Sequence, residues 1–263
     1  MISRNPLLQN ESSFDLLFCE VVTQEAFSIY YNSHFSEDPI FNHVFFSDSY
    51  LEDTNYSTSK TRIQFEDIVE RTERLDVPAS LYLERIWKNS NVLGEDAIDF
   101  GFMLIEQMHV LKKNLAPTTL PSDSKIEVSG TKDIAAWNQA FVRSFGIPDS
   151  WIPELKNRLS SIVNDRRSYL LVALEEGQDY ASGCSLLVIE PSAYMGAYCV
   201  GTIPERRSHG VARSLMAGAE QLALQNKCDT ILLQTLASDG VAPMYFKMGY
   251  ETAFERDVFQ VRA

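Results

Sequence analysis

From about residue 125 to residue 261 the apolar positions switch repeatedly between a period of two and a period near 3.6. That alternation restricts the chain more than any other feature of its sequence. Lys125–Ser129 reads as a short strand. After Thr131 a helix follows with Ile134, Trp137, Phe141 and Phe145 on one face, stopped by Gly146 and Pro148. A second helix is expected from about Trp151 to Val163, with Ile152, Leu155, Leu159 and Ile162 inward and Asp149 and Ser150 as capping oxygens. Three strands come next, Tyr169–Leu174, Tyr180–Ile189 and Met195–Thr202, close enough in sequence for an antiparallel meander. From Gly210 to about Asn226 the residues Val211, Leu215, Met216, Ala219, Leu222 and Ala223 make a helical stripe. A buried strand (Thr230–Leu236), a short helix ending at Gly249 and a terminal strand or hairpin (Tyr250–Val261) complete the order βααβββαβαββ. This is an α/β (α+β) pattern, a mixed sheet with helices on its faces.

The first half is less regular. Phe14–Tyr31 and Ile63–Leu75 read as helices, Ala79–Trp87 as a strand, Glu95–Gly101 as a helix and Phe102–Leu111 as a strand. Residues 14–50 hold ten of the chain's aromatic side chains, which fits a core or domain interface and also an aromatic wall for a pocket. Between the halves, Lys112–Ser124 (KKNLAPTTLPSDS) interrupts the periodicity with two prolines and a Ser/Thr/Asp cluster. The junction is placed there, giving an acidic, aromatic-rich domain over 1–120 and a second domain over 121–263.

Charge separates these halves. The net charge of −13 argues against a duplex nucleic acid or an anionic membrane as partner, since both need a positive face. Residues 1–123 carry 20 acidic and 9 basic side chains, and residues 124–263 carry 16 and 14, so nearly all the excess lies in the first half. No apolar run approaches the roughly 18 residues of a membrane span, and the first residues lack a signal-peptide core. The expectation is a cytoplasmic protein. Cys19, Cys184, Cys199 and Cys228 have neither paired CxxC spacing nor a nearby His, so no metal site or disulfide framework is expected.

Chemistry concentrates in Val200–Arg213, VGTIPERRSHGVAR, where a strand ends and a helix begins. A helix start leaves about four backbone N–H groups unpaired and carries a partial positive charge, so a turn without bulky side chains there can hold a pyrophosphate. Gly210 permits close approach or a positive φ, and Ala212 stays small. Arg206, Arg207, His209 and Arg213 add cationic or titratable groups. An ordinary helix cap would use many of the same residue types.

Arg207-Ser208-His209-Gly210-Val211-Ala212 matches the R-x-x-G-x-A form of the coenzyme A loop of GNAT-type N-acetyltransferases, and Gly201–Glu205 resembles the strand exit before it. Met244-Tyr245-Phe246-Lys247-Met248-Gly249-Tyr250 resembles the family's L-Y-x-x-x-G-F signature. The resemblance covers the C-terminal half and implies a mixed, mostly antiparallel sheet with helices on both faces. Pro78–Lys113, with Leu81-Tyr82-Leu83 and a helix ending in Gly101-Phe102, resembles the closing elements of a degenerate unit of the same kind, implying a tandem arrangement with a smaller N-terminal domain.

The resemblance further implies acetyl-CoA as co-substrate, no metal, and a primary amine on a small molecule or peptide as acceptor, with a homodimer among the allowed assemblies. The main chain of Val200 and Thr202 would pair with the pantetheine arm, and Arg207, Ser208, His209, Gly210, Val211, Ala212 and Arg213 would surround the pyrophosphate. Ser238 falls where an Asn often touches the cofactor arm. Tyr245 would protonate the departing thiolate, a transfer that a phenol near pKa 10 can make to a thiolate whose acid is near 8.5. Three departures stand out. Ser238 is shorter than Asn, Pro243 falls in the short helix, and Ala197–Thr202 has no carboxylate to act as base. Glu190 is near in sequence but at a turn, and Cys199 as an acyl-accepting nucleophile is the minor route beside direct transfer. Two functions follow: an acetyl-CoA-dependent N-acetyltransferase, or a non-catalytic CoA or acyl-CoA-binding module that has lost the base.

Overall fold

The computed structural model describes residues 3, 5–36, 38–116, 126–190 and 193–261. The chain divides into two compact units, residues 112–233 and residues 1–111 with 234–263. The 120/121 boundary expected from the proline-containing segment lies among residues 117–125, outside the described residues. Compactness follows a different division, because the last thirty residues pack with the first unit.

The first unit opens with helix α1 (Pro6–Phe18), capped by Asn5, whose side chain accepts the Leu7 N–H at 3.0 Å. Strands β1 (Glu20–Thr23), β2 (Phe27–Tyr31) and β3 (His43–Phe46) follow, then helices α2 (Asp48–Leu51) and α3 (Thr58–Arg74), strand β4 (Ser80–Glu84), helix α4 (Ser90–Phe100) and strand β5 (Phe102–Asn114). The expected helix over Phe14–Tyr31 is therefore corrected to one helix and a β1–β2 hairpin. Val21-Val22-Thr23 are β-branched and favour the pleated chain, and Val22 pairs antiparallel with Ile29. β3 and α2 had no counterpart in the sequence reading. The remaining elements match the expected ones to within a few residues at most ends; α3 and α4 each begin five residues early, at Thr58 and Ser90.

The second unit runs through β6 (Ile126–Thr131), α5 (Ile134–Phe145), α6 (Ile152–Ile162), β7 (Ser168–Glu175), β8 (Gly183–Glu190), β9 (Tyr194–Thr202), α7 (Val211–Gln225) and the start of β10 (Thr230–Leu236). The chain then returns to the first unit with α8 (Ala242–Lys247) and β11 (Glu251–Val261). One eleven-residue strand ends the chain where a strand or hairpin was expected, so the order closes as βααβββαβαβ.

In the first unit the strands are ordered β1-β2-β3-β4-β11-β5, with β3 and β4 parallel and the pairs β1–β2, β2–β3 and β4–β11 antiparallel. Leu81 and Leu83 of β4 join Phe27, Ile29, Phe46, Phe65 and Phe259 in a core with α3 and α4. Tyr82, between them, points to the other face with Met108 and Val258. Phe14, Phe18, Phe27, Phe35, Phe41 and Phe46 are all buried, so the aromatic run of residues 14–50 is core material.

In the second unit the order is β10-β9-β8-β7-β6, antiparallel except for β9 with β10. Gly183 lies against Val211 and Leu215 of α7, while Gly201, which pairs with the adjacent Cys184, lies against Ser144 and Phe145 of α5. Successive strand residues face opposite ways, so α5 and α7 cover opposite faces of the sheet. Asp133 caps α5 by accepting the Ala135 and Ala136 N–H groups, and Gly146 ends it at φ 65°. Trp137 and Phe141 are buried as expected, but Phe145 at the helix end is exposed. The expected Asp149/Ser150 side-chain cap on α6 is replaced by a 3-10 turn, Asp149–Trp151, with Pro153 in the first helical turn.

Candidate functional site

The strand that leads into the glycine loop is irregular where function would need it. Leu186 pairs with Tyr198 and Cys184 with Gly201, so Ser185 alone faces the two residues Cys199 and Val200: a β-bulge. Cys199 takes the strain, with φ 53°. Three carbonyls at the bulge accept side-chain donors. Ser185 Oγ donates to Tyr198 O (3.1 Å), Cys184 Sγ donates to Cys199 O (3.7 Å), and the Trp137 indole N–H donates to Ser185 O (2.9 Å).

On its other edge β9 pairs with β10 from Tyr194 to Ala197, against Thr230–Leu233. Val200 and Thr202 lie beyond those pairs. The Ile203 N–H donates to Ser182 O at 3.1 Å, which makes Thr202 and Gly183 a pair of the non-bonded type. The N–H and C=O of Thr202 therefore point away from β8. The edge of β9 thus offers main-chain groups to an incoming strand-like ligand up to the loop, and both Val200 and Thr202 are half-buried there.

Pro204–Arg206 form a 3-10 turn, Ser208 adopts φ 65°, and Gly210 at φ 89° is the N-cap of α7. A Cβ at Gly210 would meet no atom within 4 Å, so glycine is required by the backbone angle and not by lack of space. Among the described residues no acceptor takes the N–H groups of Ser208, Gly210, Val211, Ala212 and Arg213, and no side chain caps the helix. Four of these donors, Gly210 to Arg213, belong to the start of a fifteen-residue helix, where unpaired N–H groups can hold an anion.

The nearby cations divide by role. Arg207 Nη2 donates to Ser144 O at the C-terminal end of α5 (3.0 Å), and its Nε donates to Thr202 O (3.5 Å), so it braces the loop. Arg206 faces Glu175 at 3.4 Å, and Arg143 pairs with Glu205 at 2.7 Å. His209 Nδ1 lies 2.7 Å from Arg207 O. Arg213 is exposed and has no side-chain partner among the described residues, which leaves it free for an anion.

Glu190, at the far end of β8, is half-buried with Arg167 at 3.9 Å, an ion-pair setting. Burial pushes the Cys199 thiol up to about 12 and Cys184 well above the usual thiol range, so both are protonated near neutral pH. Among the described residues no three His, Cys, Asp or Glu side chains converge as a metal site, and no helix is long and apolar enough to cross a membrane.

Tyr245 and Ser238 belong to the first unit. Pro243 occupies the first turn of α8, where its missing N–H costs nothing. Tyr245 is 5% exposed, its ring edge-on to Tyr250 at 5.9 Å, and its hydroxyl has no hydrogen-bond partner among the described residues. Burial, and then the charge of Asp239, pushes the phenol up to about 12, which keeps it a proton donor. Ser238 Oγ donates to Glu106 of β5. Glu106 and Asp239 escaped the sequence reading; only the Ser-Asp-Gly turn before α8 hinted at a polar cluster there.

Residues 134–250 match the model of the acetyltransferase (GNAT) family. The fold is the GNAT-superfamily acetyltransferase fold, mixed α/β with helices flanking a mostly antiparallel sheet. Among solved structures, a GCN5-related N-acetyltransferase from Kribbella flavida is similar at TM-score 0.68 and 11% identity, covering 97% of this chain and 93% of that one. Another GCN5-related N-acetyltransferase, from Sphaerobacter thermophilus, gives 0.69 and 14%, covering 90% and 78%. A tandem GNAT protein of the clavulanic acid biosynthesis pathway gives 0.57 and 12%, covering 76% and 69%. None of the curated proteins matches the sequence.

Proposed function

We propose that this chain is an acetyl-CoA-dependent N-acetyltransferase that moves an acetyl group to a primary amine by direct attack. The observation that carries the reading is the open edge of β9 ending at a loop and helix start with five unpaired N–H groups. An extended amide-bearing arm pairs with such an edge, and a pyrophosphate fits such a start. Acetyl-CoA has both in that order. Val200 and Thr202 would hold the arm, Ser208 to Arg213 the pyrophosphate, and Ser238 a further part of the arm. A backbone N–H of β9 would steady the carbonyl oxygen as the amine nitrogen attacks, and Tyr245 would deliver its proton to the departing thiolate. Direct attack needs no thiolate on the protein, which agrees with the protonated Cys199.

By descent, residues 121–263 would be the catalytic domain and residues 1–120 a degenerate unit of the same kind. In support, α4 ends at Gly101 (φ 120°) before Phe102 opens β5, as α8 ends before Gly249 (φ 86°) and Tyr250 lead to β11.

The second reading, a non-catalytic CoA-binding module, draws on the lack of a carboxylate in Ala197–Thr202. Release of CoA thiol from acetyl-CoA across a panel of amines, beside thermal shift with CoA alone, separates the two. Binding with turnover on any amine supports the transferase; binding with no turnover selects the module. Gly210→Glu places a side chain and a negative charge in the cradle, and its thermal shift with CoA is expected to vanish. A shift equal to wild type would sink the site.

A further inference from the structure

Helix α1 meets the sheet of the first unit through a layer that is as polar as it is apolar. Glu11, Ser12 and Asp15 are buried there beside Leu8, Phe14 and Phe18. Both Glu11 oxygens accept from Arg256 at 2.6 Å, Asp15 Oδ2 lies 3.3 Å from His43 Nε2, and Ser12 shares a hydrogen bond with Tyr30. Against this layer lies a cavity of about 30 Å³, with Ser12, Ser28, Tyr30, Ser47 and Glu84 on its wall. Such a space holds one small ion or about two waters.

Every polar side chain on that wall ends in oxygen, and among the described residues no lysine, arginine or histidine lines it. Glu84 is 1% exposed; its Oε1 accepts Arg256 Nε at 2.8 Å, while Arg256 gives both Nη groups to Glu11. One guanidinium thus serves two buried carboxylates, and the layer is short of one positive charge beside the cavity. Burial raises the Glu84 carboxyl above its usual range, ahead of the lowering effect of Arg256. Ser28 Oγ donates to Thr23 Oγ1 at 3.2 Å, which leaves its lone pairs for another partner. Hydroxyl and carboxylate oxygens around a buried negative charge suit a hard cation, which would recover the free energy that an undercompensated buried charge costs.

We propose that this cavity binds a small monovalent cation, of the alkali or ammonium class, through Glu84 and the hydroxyl oxygens of Ser12, Ser28 and Tyr30. The site lies wholly within the first unit and is independent of the acetyl-transfer reading. One surplus negative charge calls for one positive charge, which selects a monovalent ion over a divalent one, and the volume keeps out bulky organic cations. Since its oxygens come from α1, β2 and β4, the bound ion ties the first helix to the sheet and stabilises the unit.

The test is thermal melting of the full chain in the chlorides of sodium, potassium, ammonium and tetramethylammonium at one ionic strength, so that general screening is the same in each. Tetramethylammonium is too large for the cavity and serves as the blank. At least one small cation is expected to raise the melting temperature above the blank, increasingly with its concentration, as a ligand of the folded state does. Glu84→Gln should abolish that difference. Where Glu84→Gln does not fold, Ser12→Ala/Ser28→Ala decides: it removes two hydroxyl ligands and no charge, and should weaken cation affinity by about tenfold or more. Equal melting in all four salts overturns the proposal, as does a small-cation effect that persists unchanged in either variant. A stronger effect of calcium chloride at the same ionic strength overturns the monovalent assignment.

Discussion

Tyr245 is buried and Cys199 half-buried, and the same shift gives the two side chains opposite prospects. Burial raises each to about 12, so each keeps its proton near neutral pH. For a phenol asked to donate, that is the useful form; for a thiol asked to attack, it is the inert one. Tyr245→Phe is accordingly expected to lower turnover by about tenfold or more with CoA affinity nearly unchanged, the range of a general acid–base contribution. Equal wild-type and variant rates under chemistry-limited conditions would remove its acid role. Cys199 at φ 53° bears a left-handed backbone cost of about 1 kcal/mol that glycine would not. Cys199→Gly should therefore keep turnover; loss of turnover with normal CoA binding would bring the thiol back as a participant. The tyrosine was legible from its motif. The contact of Glu106 with the turn that carries Asp239 was not, because 133 positions separate those two carboxylates in sequence and the pairing of β5 with the 237–239 turn joins them.

At the scale of elements, β9 and α7 make the cradle together, and their closeness depends on residues without side chains. A Cβ on Gly201 would meet Phe145 and Ser144 at 2.7 Å, and one on Gly183 would meet the Gly201 carbonyl at 2.5 Å. Gly201→Val should cost about 1–3 kcal/mol in unfolding free energy, the usual range for overpacking, and weaken CoA binding by pushing α5 off the bulge. A variant with unaltered melting and binding would mean that α5 yields without disturbing β9. The loop, the α7 stripe and the meander were all readable from periodicity and glycine placement. The bulge was not, since Ser185, Cys199 and Val200 look like ordinary alternating strand residues. Their register depends on Trp137 of α5 capturing the Ser185 carbonyl. The hairpin of β1 and β2 was misread for a related reason: Phe27–Tyr31 is buried at four of its five positions, and a continuous buried run has no period to read.

For the molecule as a whole, the most distant pairing is that of the chain's beginning and end within the first unit. Arg256 of β11 is fully buried, with both oxygens of Glu11 from α1 at 2.6 Å and Glu84 of β4 at 2.8 Å. Its guanidinium lies over the rings of Tyr82 and Phe45 at 4.7 and 5.1 Å. Removing the cation alone leaves two buried carboxylates uncompensated, so Arg256→Met is expected to cost about 3–5 kcal/mol by chemical denaturation. The triple replacement Glu11→Gln/Glu84→Gln/Arg256→Met should recover much of that loss; a single variant as stable as wild type would show the network to be dispensable. The acidic excess of the first half, counted from composition as one reservoir, is thus partly spent on such internal pairs. What the sequence determined by itself is local in its physics: the order of strands and helices from hydrophobic period, and the cradle from a glycine at a strand-to-helix turn with a recognisable spacing to Tyr245. What the tertiary structure alone decided is non-local. It chose which carboxylates share a cation, where β9 breaks register, and that residues 234–263 pack with residues 1–111, because each depends on contacts between segments that the chain's linear pattern does not bring together.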